Sequence, residues 1–448
     1  MKRNTSARRI GAGSAAPGRN EAREQPTRGS RRVTGRGDLT TMARKFDIPE
    51  FYKSPVISRV KAYRQMQDMR KRDLSPSVLD FGPVRFLLAR HFGFCFGVEN
   101  AIEIAYRTLE EHPDRRIYFL NEMIHNPNVN NDLKDRGVEF IFDPYGMQLI
   151  PWNYLAPEDI VVVPAFGTTV EIQEALASRG IDAYTYNTTC PFVERVWNRS
   201  AKLGGSGFSV VVHGNDTHQE TRATFSHSVR NAPTVVVLDM EEAHVLADVI
   251  RGTADRRVFY ERFGHKCSEG FDPDRHLRRV GIVNQTTMLA TETRHIADVL
   301  RDALADRYGE ENIRNHYADT SDTLCYATNE NQNATYVLVE QDADLALVVG
   351  GYNSSNTSHI VELCLEQMPT YFIKGADEIR SESLIRHFSV ETKKAAHTTD
   401  WLPDKRPLSV ALTSGASCPD AIVDAVLLRV LSFFEPTRSL NDVLACYA

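Results

Sequence analysis

From residue 85 onward the chain alternates short runs of Val, Ile and Leu with polar turns, followed by stretches whose apolar residues recur every three to four positions. Continuous apolar runs bounded by turns predict buried strands, and the 3.6-residue period predicts helices packed over them. Clear instances are strand 160–163 before Ala165-Phe166-Gly167-Thr168-Thr169 and helix 170–178, and strand 209–212 before His213-Gly214-Asn215-Asp216. Two more are strand 345–349 before Gly350-Gly351-Tyr352-Asn353-Ser354-Ser355-Asn356, and strand 408–412 before Thr413-Ser414-Gly415-Ala416-Ser417-Cys418-Pro419. Strands that alternate with helices predict an α/β fold of parallel sheets covered on both faces. Ligands in such folds bind at the carboxyl ends of the strands, where all these turns lie.

Ahead of this repeat the pattern weakens. Residues 46–83 mix Tyr, Phe, Arg and Lys, which predicts a short helix over 58–71 within an extension, 42–84, that packs on the outside of the core. Residues 1–41 are rich in Arg, Gly, Ser and Thr and too poor in apolar side chains to bury a core, so they are expected to be disordered. The reading taken is that Met42 is the true start. The alternatives are a transit peptide, which would give a plastid address, and a basic tail for nucleic acid or anionic lipid.

Composition narrows the function classes. The 448 residues suffice for two or three domains, and 42% hydrophobic with 25% charged is the balance of an ordinary water-soluble protein. No apolar run approaches the ~20 residues that span a bilayer. The net charge of −6 conceals twelve Lys or Arg against three acids in residues 1–45, so the rest is distinctly acidic and gives no sign of nucleic-acid binding. Seven cysteines without a secretory signal point to a reducing compartment and to metal or redox chemistry rather than disulfides. The expected location is the cytoplasm.

Three of those cysteines sit in particular contexts. Cys95 lies in Gly93-Phe94-Cys95-Phe96-Gly97-Val98, where an apolar run, 84–88, gives way to a predicted helix, 98–110. Two glycines let the backbone turn tightly and admit something large, and a helix N-terminus favours a deprotonated thiol. Cys190 stands in Asn187-Thr188-Thr189-Cys190-Pro191, and Cys325 in Cys325-Tyr326-Ala327-Thr328. No short Cys-x-x-Cys pair joins them, so a shared centre requires tertiary folding to assemble it. The polar turns offer anion sites at helix N-termini. Taken singly, Ser354, Asn356 and Ser417 also read as helix caps, Ser417 with Pro419 near the first helical position. His125 and His218 read equally as satisfied structural residues or as phosphate donors.

As an ordered set these motifs resemble the LytB/IspH family of 4-hydroxy-3-methylbut-2-enyl diphosphate reductases. The resemblance spans about residues 85–426 and adds Ile124-His125-Asn126-Pro127, His218-Gln219-Glu220, Gln285-Thr286-Thr287 and Ser414-Gly415-Ala416-Ser417 to the stretches above. It implies three αβα modules with small parallel sheets around a pseudo-threefold axis, at 85–190, 191–320 with an insertion at 252–280, and 321–448 with a C-terminal tail. It implies further that Cys95, Cys190 and Cys325 hold one [4Fe–4S] cluster with an open fourth iron, and that Glu220 donates a proton with Thr286 or Thr287 holding its relay. His125, His218, Ser354, Ser355, Asn356 and Ser417 would bind the substrate diphosphate. The reaction so implied is the two-electron reductive dehydroxylation that ends the non-mevalonate (MEP) route, giving isopentenyl and dimethylallyl diphosphate. The implied partners are a small-molecule diphosphate and an electron donor such as ferredoxin or flavodoxin, with no nucleic acid and no membrane, on a monomer or homodimer. One position departs: many bacterial members have His-Gly-Val where this chain has Phe166-Gly167-Thr168, so a diphosphate-binding histidine is missing. That version, with the insertion before Gln285, is similar to the plant and cyanobacterial branch. The competing classes are a Cys-ligated zinc hydrolase and a redox- or ligand-sensing binding protein.

Overall fold

Three separate sheets organise the chain, and each cysteine singled out above lies where the chain passes from one sheet to the next. The computed structural model describes residues 46–318 and 323–448, so the expectation for residues 1–41 lies outside the described residues. The largest sheet has eight strands. At its centre Val84–Leu88, Leu408–Ser414, Leu345–Val349 and Thr370–Ile373 run parallel in that order, with Val410 opposite both Phe86 and Leu345. Every residue of Leu345–Val349 is buried and apolar, which explains its unbroken apolar run, and Leu408–Ser414 is buried throughout with Ser409, Thr413 and Ser414 among its residues. Antiparallel strands extend the two edges: Ser77–Asp80 on one side, and the group Ile379–Ser381, Leu384–Ser389 and Lys394–Thr399 on the other.

The second sheet is a parallel trio with Ile117–Phe119 between Glu139–Phe140 and Ile160–Val162. The third places Ser209–His213 between Thr234–Val237 and Val280–Asn284, with Tyr317–Ala318 at the far edge, all parallel. The expected α/β architecture of small parallel sheets is therefore present. Among the described residues no helix is long and apolar enough to cross a membrane.

Strand Val84–Leu88 sits elsewhere than the module boundaries foresee. They assign it to the first module, yet it hydrogen-bonds to Leu408–Ser414 in the sheet built mostly by the last third of the chain. Helix Phe96–Glu111, which follows it, buries Val98, Ala101, Ile102 and Ala105 against Ile117, Phe119 and Ile160 of the second sheet. The same step recurs twice. Helix Pro191–Gly205 leaves the second sheet and packs Val196 and Leu203 on Val210, Val212 and Val283 of the third. Helix Tyr326–Val339 leaves the third and packs Ala334 and Leu338 on Leu345 of the first. Strand periodicity cannot reveal such exchanges, because a mostly apolar strand fits many buried positions in a parallel sheet. The bond from Arg85 Nε to Ser409 Oγ at 2.7 Å forms only once strands Val84–Leu88 and Leu408–Ser414 lie side by side.

The extension before the first parallel strand is more deeply built in than expected. Its helix covers Pro55–Gln67, capped by the Ser54 hydroxyl that accepts from Ile57 N at 2.8 Å, so it begins three residues earlier and ends four earlier than the periodicity suggests. Val56, Ile57 and Val60 are buried with Val423, Val426 and Val430 of helix Asp420–Leu431 in the core of the largest sheet. Phe46 and Tyr52 are buried against helix Phe96–Glu111. Within the 252–280 insertion, Phe259, Phe263 and Phe271 pack into the core of the third sheet. Truncating fully buried Ile57 to Ala should lower unfolding free energy by about 2–5 kcal/mol in urea titrations, whereas an extension merely resting on the surface would lose almost nothing.

Candidate functional site

Each of the three cysteines is the residue immediately before a helix. Cys95 precedes Phe96–Glu111, Cys190 precedes Pro191–Gly205, and Cys325 precedes Tyr326–Val339, all in extended backbone. The first N–H groups of a helix have no partner inside it. Here they turn to sulfur: Gly97 and Val98 N–H point at Cys95, Phe192 and Val193 at Cys190, and Ala327 and Thr328 at Cys325. The Thr328 hydroxyl adds a further bond to the Cys325 sulfur.

Backbone contacts then bring the three turns together. Cys95 N donates to Ala416 O at 3.2 Å, and Cys190 N donates to Ala165 O at 2.8 Å. Gly97 explains its own identity, since a Cβ on it would stand 2.5 Å from the Cys190 sulfur. Gly93 turns with φ of +80° in a place where a side chain would meet Asp420 and Lys61, which pair at 2.6 Å. Thus one glycine brings two thiols together and the other lets the turn be clamped.

The sulfurs border a cavity of about 110 Å³. Glu220, His125, His218, Thr286, Thr287, Ser354, Ser355, Asn356, Ser417 and Phe166 line it with them, so every site residue expected from the sequence reaches one place. Cys267, Cys364, Cys418 and Cys446 do not. No Lys or Arg contributes to the lining among the described residues.

Glu220 lies in the first turn of helix Gln219–Val229 and is 3% exposed. Its carboxylate accepts from Thr286 N at 2.5 Å. Burial raises its pKa to about 7, against the opposing pull of the Thr286 bonds. Thr287 takes no direct part in that contact; its hydroxyl accepts from Gln285 Nε2 at 2.7 Å, and Gln285 Oε1 in turn accepts from Thr221 and Asn215. Of the two threonines expected to hold its relay, Thr286 is the one that meets the Glu220 carboxylate.

His218 caps the Glu220 helix, with its Nδ1 accepting from Glu220 N at 3.2 Å. A neutral imidazole that accepts at Nδ1 carries its proton on Nε2, and that atom is buried without a partner. Burial, then the nearby His125, holds the His218 pKa well below its ordinary value, so the ring is a neutral donor. His125 leaves its Nε2 equally unpartnered, while Asn353 Nδ2 approaches its Nδ1 at 3.5 Å. Phe166 stacks on His125 with centroids 4.7 Å apart and planes 6° apart. The phenyl ring that replaces a family histidine therefore braces the neighbouring one.

Ser354 is a true cap, accepting from Thr357 N at 3.3 Å at the start of helix Ser355–Leu365. Asn356 sits inside that helix; its Oδ1 accepts from Ala416 N at 2.9 Å and its Nδ2 is buried without a partner. Ser417 caps nothing, contrary to the reading of Ser417-Cys418-Pro419. The helix starts only at Asp420, and the Ser417 hydroxyl donates to His125 O at 3.2 Å.

The thiols also depart from expectation. Helix N-termini do aim at them, yet burial outweighs this and raises Cys95 and Cys190 to about 12 and Cys325 in the same direction. Such thiols stay protonated unless a metal takes the proton's place. Among the described residues no three His, Cys, Asp or Glu side chains gather tightly enough to chelate one ion. Three thiols around a shared cavity, each met by peptide N–H groups, thus fit a wider polynuclear sulfide centre better than a single zinc. Sequence reasoning missed Thr328 as a sulfur contact, although its place three residues after Cys325 is where a cap meets the third helical residue.

Comparison with known proteins agrees with this geometry. The family model described as LytB protein matches residues 86–431. The 4-hydroxy-3-methylbut-2-enyl diphosphate reductase of Gloeobacter violaceus is 40% identical over 352 residues, covering 78% of this chain and 83% of that one. Its counterpart from Thermosynechococcus vestitus is 39% identical over 384 residues, covering 85% and 90%. The solved E-1-hydroxy-2-methyl-but-2-enyl-4-diphosphate reductase from Plasmodium falciparum shares the fold, with a TM-score of 0.57 at 19% identity over 78% of this chain and 88% of that one. The chain belongs to the LytB protein family.

Proposed function

We propose that this protein is a 4-hydroxy-3-methylbut-2-enyl diphosphate reductase, removing an allylic hydroxyl from a small diphosphate at the expense of two electrons and two protons. The observation that carries this reading is the meeting of three desolvated thiols, one raised carboxyl and several buried donors without a protein partner in a single cavity. A [4Fe–4S] cluster on Cys95, Cys190 and Cys325 would supply the electrons and a Lewis-acidic iron there.

The chain's own residues account for the rest. His125 and His218 offer Nε2, and Asn356 offers Nδ2, each buried and without a protein partner. Buried donors left unpaired are costly, and phosphate oxygens relieve that cost. The N-termini of helices Gln219–Val229 and Ser355–Leu365 add partial positive charge. With no Lys or Arg in the wall among the described residues, imidazole, amide and hydroxyl donors and peptide dipoles hold the diphosphate. Ser354, Ser355 and Ser417 supply hydroxyls beside them. Hydroxide is a poor leaving group, so the C–O bond needs a proton delivered to the departing oxygen. Glu220 suits that task because burial keeps it protonated up to about neutral pH, while the Thr286 peptide fixes its orientation. Apolar neighbours, among them Val98, Ile124, Val193 and Phe166, exclude water from the site.

Anaerobic turnover with reduced methyl viologen tests the whole reading: consumption of the hydroxylated diphosphate supports it, and an iron-replete protein that leaves this substrate intact refutes it. Three variants test the parts. Glu220→Gln keeps the shape but cannot cycle a proton, so turnover should fall ~10²–10⁴-fold with bound iron unchanged. In the parent, kcat should fall as pH rises through about 7, where Glu220 loses its proton, and the Gln variant should lack this limb. Asn356→Ala should weaken substrate binding by ~1–3 kcal/mol, read as KM or as inhibition by diphosphate. Gly97→Ala places a methyl 2.5 Å from the Cys190 sulfur. Iron content and visible absorbance should drop in that variant, while circular dichroism keeps the parent's helix signal.

A further inference from the structure

A second feature of the same three thiols lies outside the cavity. Phe192 and Tyr326 follow Cys190 and Cys325 by two residues and one residue, and their rings meet with centroids 4.9 Å apart. Neither lines the cavity. Tyr326 is 39% exposed, and its phenol lies within electrostatic reach of Cys95, Cys190 and Cys325 together. This aromatic pair is a surface next to the centre that the cavity wall does not occupy.

A basic turn adjoins it. Lys71 Nζ lies 6.0 Å from the Tyr326 ring centroid and 2.9 Å from Glu330 Oε2, four residues farther along the same helix. Lys71 is the middle of Arg70-Lys71-Arg72, all exposed, in the turn that follows helix Pro55–Gln67, where Met69 in the turn and Met66 in the last turn of the helix are also exposed. From Arg59 to Arg72 there are six basic residues and one acid, in a chain whose net charge is −6. The turn is anchored. Arg64 pairs with Asp73 at 3.0 Å, and buried Arg90 donates to Arg64 O and Asp68 O at 3.4 Å each. A positive patch fixed in place on an acidic protein, studded with adaptable methionines beside the exposed Tyr326 ring, suits brief recognition of a negatively charged protein surface.

We infer that the Arg70-Lys71-Arg72 turn, with Met66, Met69, Tyr326 and Phe192, is the docking surface for the electron donor, a small acidic one-electron carrier protein. This rests on the reductase reading, which requires reducing equivalents to reach thiols whose cavity face is taken by substrate. Each carrier gives up one electron and leaves oxidised. Two encounters therefore supply the electron pair that, with two protons, replaces the substrate C–O bond by C–H and releases water.

The test uses the full-length, iron-replete protein and the double variant Arg70→Glu/Arg72→Glu, which leaves the Lys71–Glu330 pair intact. Both proteins are assayed with two reductants: reduced methyl viologen, a small dye that needs no docking surface, and a reduced plant-type [2Fe–2S] ferredoxin. With ferredoxin the variant should lose about ten- to a hundredfold in kcat/KM at low salt, together with most of the parent's dependence on ionic strength. Its viologen-driven rate, iron content and thermal midpoint should match the parent's. An unchanged ferredoxin rate and salt slope overturn the proposal. Equal losses with both reductants also overturn it, because they mark damage to the site rather than lost docking. A parent that turns over with neither reductant sinks the reductase reading itself, and the docking proposal falls with it.

Discussion

Three sulfur atoms must be held together in a buried place where their ionised forms are disfavoured, and much of the fold serves that constraint. Burial, with the neighbouring sulfurs adding to it, raises Cys95 and Cys190 to about 12. The available counterweight is the row of unpaired N–H groups at a helix start, and the chain supplies one such start for each cysteine. Because every one of these helices packs on a different sheet from the strand before it, the sulfurs fall at the junctions between sheets. Strand Val84–Leu88, lying beside Leu408–Ser414, links the beginning of the chain to its last third.

The substrate side follows a different electrostatic rule. Fixed cations are absent from the cavity wall among the described residues, and histidines kept neutral or left with a free Nε2 take their place. Uncharged donors such as Asn356, the serines and the neutral His218 attract an anion at short range without lowering the pKa of the neighbouring carboxyl, as a Lys or Arg would. Glu220 can therefore bind a proton near pH 7 beside a bound diphosphate. Phe166 is consistent with this economy of charge: it gives up a donor and stacks on His125 instead, fixing the ring that remains.

Rigidity around Cys95 comes largely from residues far from the cavity. Phe46 meets Phe96 at 5.0 Å, Tyr52 meets Phe94 at 5.9 Å, and Lys61 donates to Phe92 O at 2.8 Å while pairing with Asp420. The segment before the first parallel strand thereby holds the first cysteine turn from one side, and the turn after strand Leu408–Ser414 holds it from the other through Ala416. A loop clamped this way keeps its sulfur in place without a regular hydrogen-bonded ladder.

Much of this was legible in the residues. Apolar runs bounded by Gly, Ser, Thr and Asn marked the parallel strands, because a strand buried on both faces is mostly apolar. Spacing and turn chemistry marked Cys95, Cys190 and Cys325, and the ordered motifs gathered Glu220, the histidines and the polar turns into one candidate set. Other features were decided only by tertiary contact. Nothing local tells Val84–Leu88 which sheet to join, since Val84, Phe86 and Leu88 suit any of them and Ser409, the partner of Arg85, comes from a distant strand. Ser417 has the sequence of a cap, but its hydroxyl is claimed by the His125 carbonyl from a distant segment. The Cys95 turn has the sequence of an activated thiol, but helix dipole and burial oppose each other there, and the packing determines how much water is lost. Local sequence governs backbone preference and periodicity, whereas desolvation and long-range partners arise only when remote segments close over one another.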